Sequence, residues 1–118
     1  MIEAIVESRC TGCNACVAVC PSDVFVAAAS GPPIIARPDQ CQTCFMCELY
    51  CAADAIYVGP NAEAREGARA EAMAAAGALG HYRRDSGWDE WGLDPRYANA
   101  HWRMDEIFAR ARAATQST

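Results

Sequence analysis

The sequence predicts an α+β protein, a pseudo-two-fold core of two β-α-β units followed by a C-terminal tail that is helical or irregular. Three observations carry that expectation. The run Cys10-x2-Cys13-x2-Cys16-x3-Cys20 recurs 31 residues later as Cys41-x2-Cys44-x2-Cys47-x3-Cys51, so one supersecondary unit is present twice. Short β-branched segments flank both runs. Beyond Pro60 the composition turns abruptly to alanine, then to aromatic residues and arginine.

Taken in order, strands are expected over residues 2–6, 24–28, 34–37 and 55–58, where β-branched residues adjoin turn residues. Helical turns over 15–20 and 45–51 come after the cysteine triplets, and Ser30-Gly31-Pro32-Pro33 separates the two copies. Asp23 and Asp54 occupy equivalent places and read as turn or capping residues. Residues 61–79 hold nine alanines, with Asn61 as an N-cap and Gly80 as a stop, which predicts a helix. Only Met73 and Leu79 give it large apolar groups, and Gly67 and Gly77 each cost it about 1 kcal/mol relative to alanine. At roughly 1.5 Å per residue its ~19 residues would span about 28 Å and carry the tail beyond the core. Residues 80–108 are interrupted by Gly87, Gly92 and Pro95 yet hold Tyr82, Trp88, Trp91, Tyr97, Trp102 and Phe108, six of the ten aromatics. A last helix is expected over 102–114, with 115–118 fraying. The organisation is therefore a cysteine-rich domain over 1–60, an alanine-rich helix or linker over 61–79, and a tail over 80–118.

Composition says what must hold this chain together. Of its 118 residues 25 are alanine and eight cysteine, while Leu, Ile, Val and Phe number only 18. So few large aliphatic groups cannot supply the whole stability of a small domain. The eight cysteines are the candidate. The net charge is −5, and all ten basic residues are arginine. No basic stripe exists to displace phosphate counterions, which argues against nucleic acid as a partner. No window approaches 18 consecutive apolar residues and the N-terminus lacks a signal pattern, so the expectation is a cytoplasmic protein without membrane insertion. In that reducing compartment cysteines serve metal more often than disulfides.

Three thiolates at x2 spacing lie on one tight loop and can converge on three corners of a metal cube, while the fourth, in a helical turn, points away. In a two-fold repeat the donor of the missing corner is the distant cysteine of the other copy. The expected sets are Cys10, Cys13, Cys16 and Cys51 on one cluster, and Cys41, Cys44, Cys47 and Cys20 on the other. Two four-thiolate zinc sites would use the same ligands, but zinc sites generally pair two-residue hooks from separate places. Disulfides between neighbouring cysteines of one loop rarely satisfy the required geometry.

The segments CTGCNACVAVCP and CQTCFMCELYCA resemble the bacterial-type ferredoxins that carry two [4Fe-4S] clusters. The resemblance covers about residues 1–60, and all eight cysteines match. It implies a ferredoxin-like fold, two iron-sulfur cofactors and electron transfer in single-electron steps. Pro21 comes after the first run as in that family, whereas Ala52 stands where the second proline would be. The tail adds an architectural likeness to the iron-sulfur subunits of adenylylsulfate reductase and related complexes. That likeness implies a heteromer in which residues 80–118 bind a flavoprotein catalytic subunit, with FAD on that partner. Tyrosine, tryptophan and arginine are the residue types enriched at interface hot spots. The alternatives are a free ferredoxin carrier whose tail folds back over its own clusters, and a structural or regulatory iron-sulfur module.

Other sites are weak. His81 and His101 lie twenty residues apart without a ligand at useful spacing, which reads as surface or interface packing. Gly77-x2-Gly80 lacks the lysine and strand of a phosphate loop. Arg65, Arg69, Arg83 and Arg84 among acids suit a solvated face or bidentate interface pairs. No catalytic nucleophile and base are suggested. Small neighbours Thr11, Gly12, Asn14 and Ala15 beside the first cluster, against Phe45 and Met46 beside the second, predict the lower potential at the second.

Overall fold

The computed structural model describes residues 1–89 and 104–116. Short strands and helices alternate as expected. The order is β1 (Ile2–Ile5), α1 (Ala15–Val19), β2 (Phe25–Val26), β3 (Ile34–Ile35), a 3-10 turn at Pro38–Gln40, α2 (Met46–Tyr50) and β4 (Ile56–Val58). Each strand is shorter than the range expected for it.

Two antiparallel ribbons result: β1 pairs with β4, and β2 with β3. The repeat carries Phe25 forward 31 positions to Ile56 and Ile35 back 31 to Ala4, so an exact two-fold would set Ile56 opposite Ala4. Ile56 instead faces Ile5, Tyr57 faces Ala4 and Val58 faces Ile2, so Glu3 is an extra residue in β1. The bulge breaks the exact two-fold correspondence between the ribbons. Between them lies an apolar cluster of Ile2, Val24, Phe25, Ile56 and Val58, joined by Cys16, Cys20 and Cys47 from the helices. These three cysteines thus belong to the core.

Beyond Pro60 the chain departs most from expectation. The helix predicted over 61–79 is confined to α3, Ala70–Ala75. The Asn61 side chain accepts from the N–H groups of Glu63 and Ala64, forming a turn that does not propagate into helix. The N–H groups of Glu66, Gly67 and Ala68 are taken by the Glu3 carboxylate at 2.5, 3.1 and 3.1 Å. Left-handed Gly67 (φ +76) and Gly77 (φ +70) then bound the helix on either side. A tertiary acceptor therefore overrides the local helix propensity of the alanines.

Nor do the described parts of the tail leave the core. A short helix, α4 (His81–Asp85), lies beside α2, and α5 (Met104–Gln116) lies on α1. Leu79 and Phe108 are buried. Phe108, Arg112 and Gln116 recur every fourth residue on one face of α5. From that face Arg112 donates to the carbonyls of Ala18 and Cys20, and Gln116 donates to Asp23 Oδ2 at 2.9 Å. That tie keeps the helix intact to Gln116, past the expected end at 114. The predicted roles of Trp91, Gly92, Pro95, Tyr97, His101 and Trp102 lie outside the described residues.

Candidate metal centre

The two cysteine loops owe their shape to paired left-handed residues. Gly12 and Thr43 (φ 75 and 53), Asn14 and Phe45 (59 and 61), and Asp23 and Asp54 (58 and 51) stand 31 positions apart. Such alternation turns successive amides inward, making a concavity that favours negative charge. Gly12 N–H donates to Cys10 Sγ at 3.4 Å and Thr43 N–H to Cys41 Sγ at 3.3 Å. After the helical turns, Val24 N–H reaches Cys20 Sγ and Ala55 N–H reaches Cys51 Sγ, both at 3.4 Å. Asp23 and Asp54 are thus turn residues, as the sequence suggests.

The eight thiols form no disulfide. They fall around two cavities. One, of about 220 Å³, is lined by Cys10, Cys13, Cys16 and Cys51 together with Thr11, Asn14, Ala15, Ile5 and Pro33. The other, about 20 Å³, is lined by Cys20, Cys41, Cys44 and Cys47 with Phe25 and Phe45. In both cavities the fourth sulfur comes from the opposite run. Met46, expected beside the second cavity, starts α2 and does not line it. Among the described residues no three or more His, Cys, Asp or Glu side chains form a group that could hold a single metal ion. Four soft sulfur donors around one hollow match the chemistry of an iron-sulfur cubane.

Burial makes bare thiolates costly here. It pushes the Cys16 thiol up to about 12, a rise reinforced by the neighbouring sulfurs and opposed by the Val17 amide. Burial likewise raises Cys44 and Cys47. Metal charge is what would make such buried sulfurs anionic. Burial also raises Glu48, whose carboxylate accepts the Val58 N–H at 2.9 Å and ties α2 to β4.

The 4Fe-4S dicluster domain family model matches residues 9–56. An uncharacterized ferredoxin of Methanocaldococcus jannaschii is 39% identical over 63 residues, which make up 52% of this chain and all of that protein. The chain belongs to the ferredoxin family. Iron-sulfur binding and electron transfer follow from that membership. No solved structure matches this ferredoxin. Among the described residues no helix is long and apolar enough to cross a membrane.

Two participants escaped the sequence reading. Ile2 N–H donates to Cys41 Sγ at 3.3 Å, from a strand 39 positions away. Tyr82 stacks on Phe45 with ring centroids 4.6 Å apart. Neither contact has a local signal, because both depend on how β1 and α4 dock. The arginines of the linker and tail, read as a solvated face or interface pairs, include two that staple the ferredoxin to itself. Arg65 donates to Glu3 O at 2.7 Å and Arg83 to Leu49 O at 2.8 Å. His81 contacts Gly77 O at 2.5 Å, in keeping with a packing role.

Proposed function

We propose that this chain carries single electrons through two [4Fe-4S] clusters in crossed ligation. Cys10, Cys13, Cys16 and Cys51 hold the first, and Cys41, Cys44, Cys47 and Cys20 hold the second. The observation that carries this reading is the division of the eight sulfurs between two cavities, each with one cysteine from the opposite run. Such a cluster accepts and releases one electron at a time. The chain supplies the sulfurs, the inward amides that ease negative charge on them, and apolar walls that keep water away.

Replacing Cys20 by alanine and, separately, Cys51 by alanine tests the assignment. Reconstituted wild type is expected to hold about eight iron and eight sulfide. Cys20→Ala should lose the cluster of Cys41, Cys44 and Cys47 and keep the other, and Cys51→Ala should do the reverse. Loss at Cys20 of the cluster of its own run overturns crossed ligation.

For the tail, the reading best supported is a cytoplasmic carrier that covers itself. Its support is the packing of α4 on α2 and of α5 on α1, and the burial of Leu79 and Phe108. The second reading is an iron-sulfur subunit whose residues 80–118 bind an FAD-bearing flavoprotein. It is favoured by Ile107 and Tyr82, which remain 47% and 41% exposed. Size-exclusion chromatography of the native protein separates the two. A monomer supports the carrier, and co-elution with flavin absorbance supports the subunit.

A further inference from the structure

The two cavities have unlike walls. The residues around the first all belong to the segment up to Ile56, and small ones such as Thr11, Ala15 and Pro33 are prominent among them. The second is narrower, and Phe45 on its wall carries another aromatic layer. Tyr82 lies on that ring with the planes 26° apart.

Phe45 has φ 61, a left-handed conformation uncommon for a bulky residue. The equivalent place in the first run is held by Asn14 with φ 59, a residue type that tolerates it well. A phenylalanine there persists because its surroundings over-determine it. On one side those surroundings are the apolar core, and on the other Tyr82 of α4 with the anchors of that helix. Arg83 donates to Leu49 O at 2.8 Å and pairs with Asp89, while Trp88 meets Tyr50 at 5.2 Å. The Arg83–Leu49 bond and the Trp88–Tyr50 contact tie α4 and the residues after it to α2, the helix that carries Cys47, and Asp89 holds the Arg83 side chain.

We propose that Tyr82 is a positioning residue that holds Phe45 over the second cluster as a dry cover, so that the tail sets the potential of one cluster and not the other. The proposal rests on the crossed ligand assignment. Reduction adds negative charge, which a site shielded from water resists. The Phe45–Tyr82 pair therefore lowers the potential of the second cluster, while no α4 residue lines the first cavity.

The test is a mediated redox titration of the full-length, cluster-loaded protein, followed by electron paramagnetic resonance. Wild type is compared with Tyr82→Ala, Tyr82→Phe and Phe45→Asn. Tyr82→Ala should raise one midpoint potential and leave the other in place, Tyr82→Phe should leave both, and Phe45→Asn should raise the same one. The cluster that moves should be the one that Cys20→Ala loses. If both potentials stay, or move together, in a Tyr82→Ala protein holding about eight iron, the cover is overturned while the ligand assignment stands. Fewer than two clusters in wild type overturns the assignment itself. Should Tyr82→Ala fail to hold its clusters, Tyr82→Leu and Phe45→Asn carry the test with the same outcomes.

Discussion

Gly80 presses against the Asp54 carboxyl group so closely that a Cβ on it would lie 2.6 Å from Asp54 Cγ and Oδ2. Asp54 forms the left-handed turn after the second cysteine run, and Gly80, at φ +81, opens α4. The turn that directs Ala55 N–H to Cys51 Sγ is thereby interlocked with the start of the tail.

Gly80→Ala should unseat α4, since the methyl group meets the carboxyl and the backbone is left-handed. The strain of the backbone alone is about 1–2 kcal/mol. Limited proteolysis should show faster cleavage around residues 81–89. The iron-sulfur absorbance should persist, because every ligand precedes Ala52.

Glu3→Ala should loosen residues 66–68, whose three N–H groups converge on its carboxylate. The expected loss is about 1–2 kcal/mol in chemical denaturation, modest because Glu66 and Gly67 are exposed and water can re-pair them. Glu3→Gln, which keeps one acceptor oxygen, should fall between.

Arg112→Ala should free α5 from α1 by removing the donor to the Ala18 and Cys20 carbonyls. Hydrogen exchange over residues 104–116 should quicken by about tenfold, corresponding to about 1.4 kcal/mol, at the upper end of the range for an ordinary intramolecular hydrogen bond. Arg112→Lys should recover only part, because one ammonium cannot reproduce the fork.

The Arg83 hydrogen bond holds the Asp89 carboxyl below its ordinary range. A carboxylate lowered in the folded state contributes stability that is present above its unfolded pKa and is lost as pH falls through the lowered value. The docking of α4 should accordingly weaken in acid, by less than about 1 kcal/mol for so exposed a pair. Arg83 side-chain resonances should report this transition in wild type, and Asp89→Asn should abolish it.

A chain truncated after Pro60 should keep both clusters, because all eight sulfurs and their amide donors lie within it. Iron and sulfide analysis measures this directly. Loss of either cluster on truncation would make the tail part of the metal-binding fold.

Sequence by itself determined the duplicated cysteine loops and the short elements around them, because these are local matters. Spacing of two between thiols demands a tight loop, and β-branched runs beside aspartate turns demand short strands. The pairing of Cys51 with the first loop and Cys20 with the second was already legible as a proposal, through the repeat. Tertiary structure alone decided the rest. Residues 61–69 belong to the same alanine-bearing segment as Ala70–Ala75, yet they are not helical, since amides there bond to Glu3, the bulge residue of a strand more than sixty positions earlier. Likewise the aromatic tail announced that its apolar surface needed covering without saying by what. Tyr82 on Phe45 and Phe108 against the core result from long-range docking, in which Arg83 and Arg112 satisfy the carbonyls of Leu49, Ala18 and Cys20 in the last turns of α2 and α1. Those acceptors are backbone atoms, identical at every position, and no side-chain pattern can mark them.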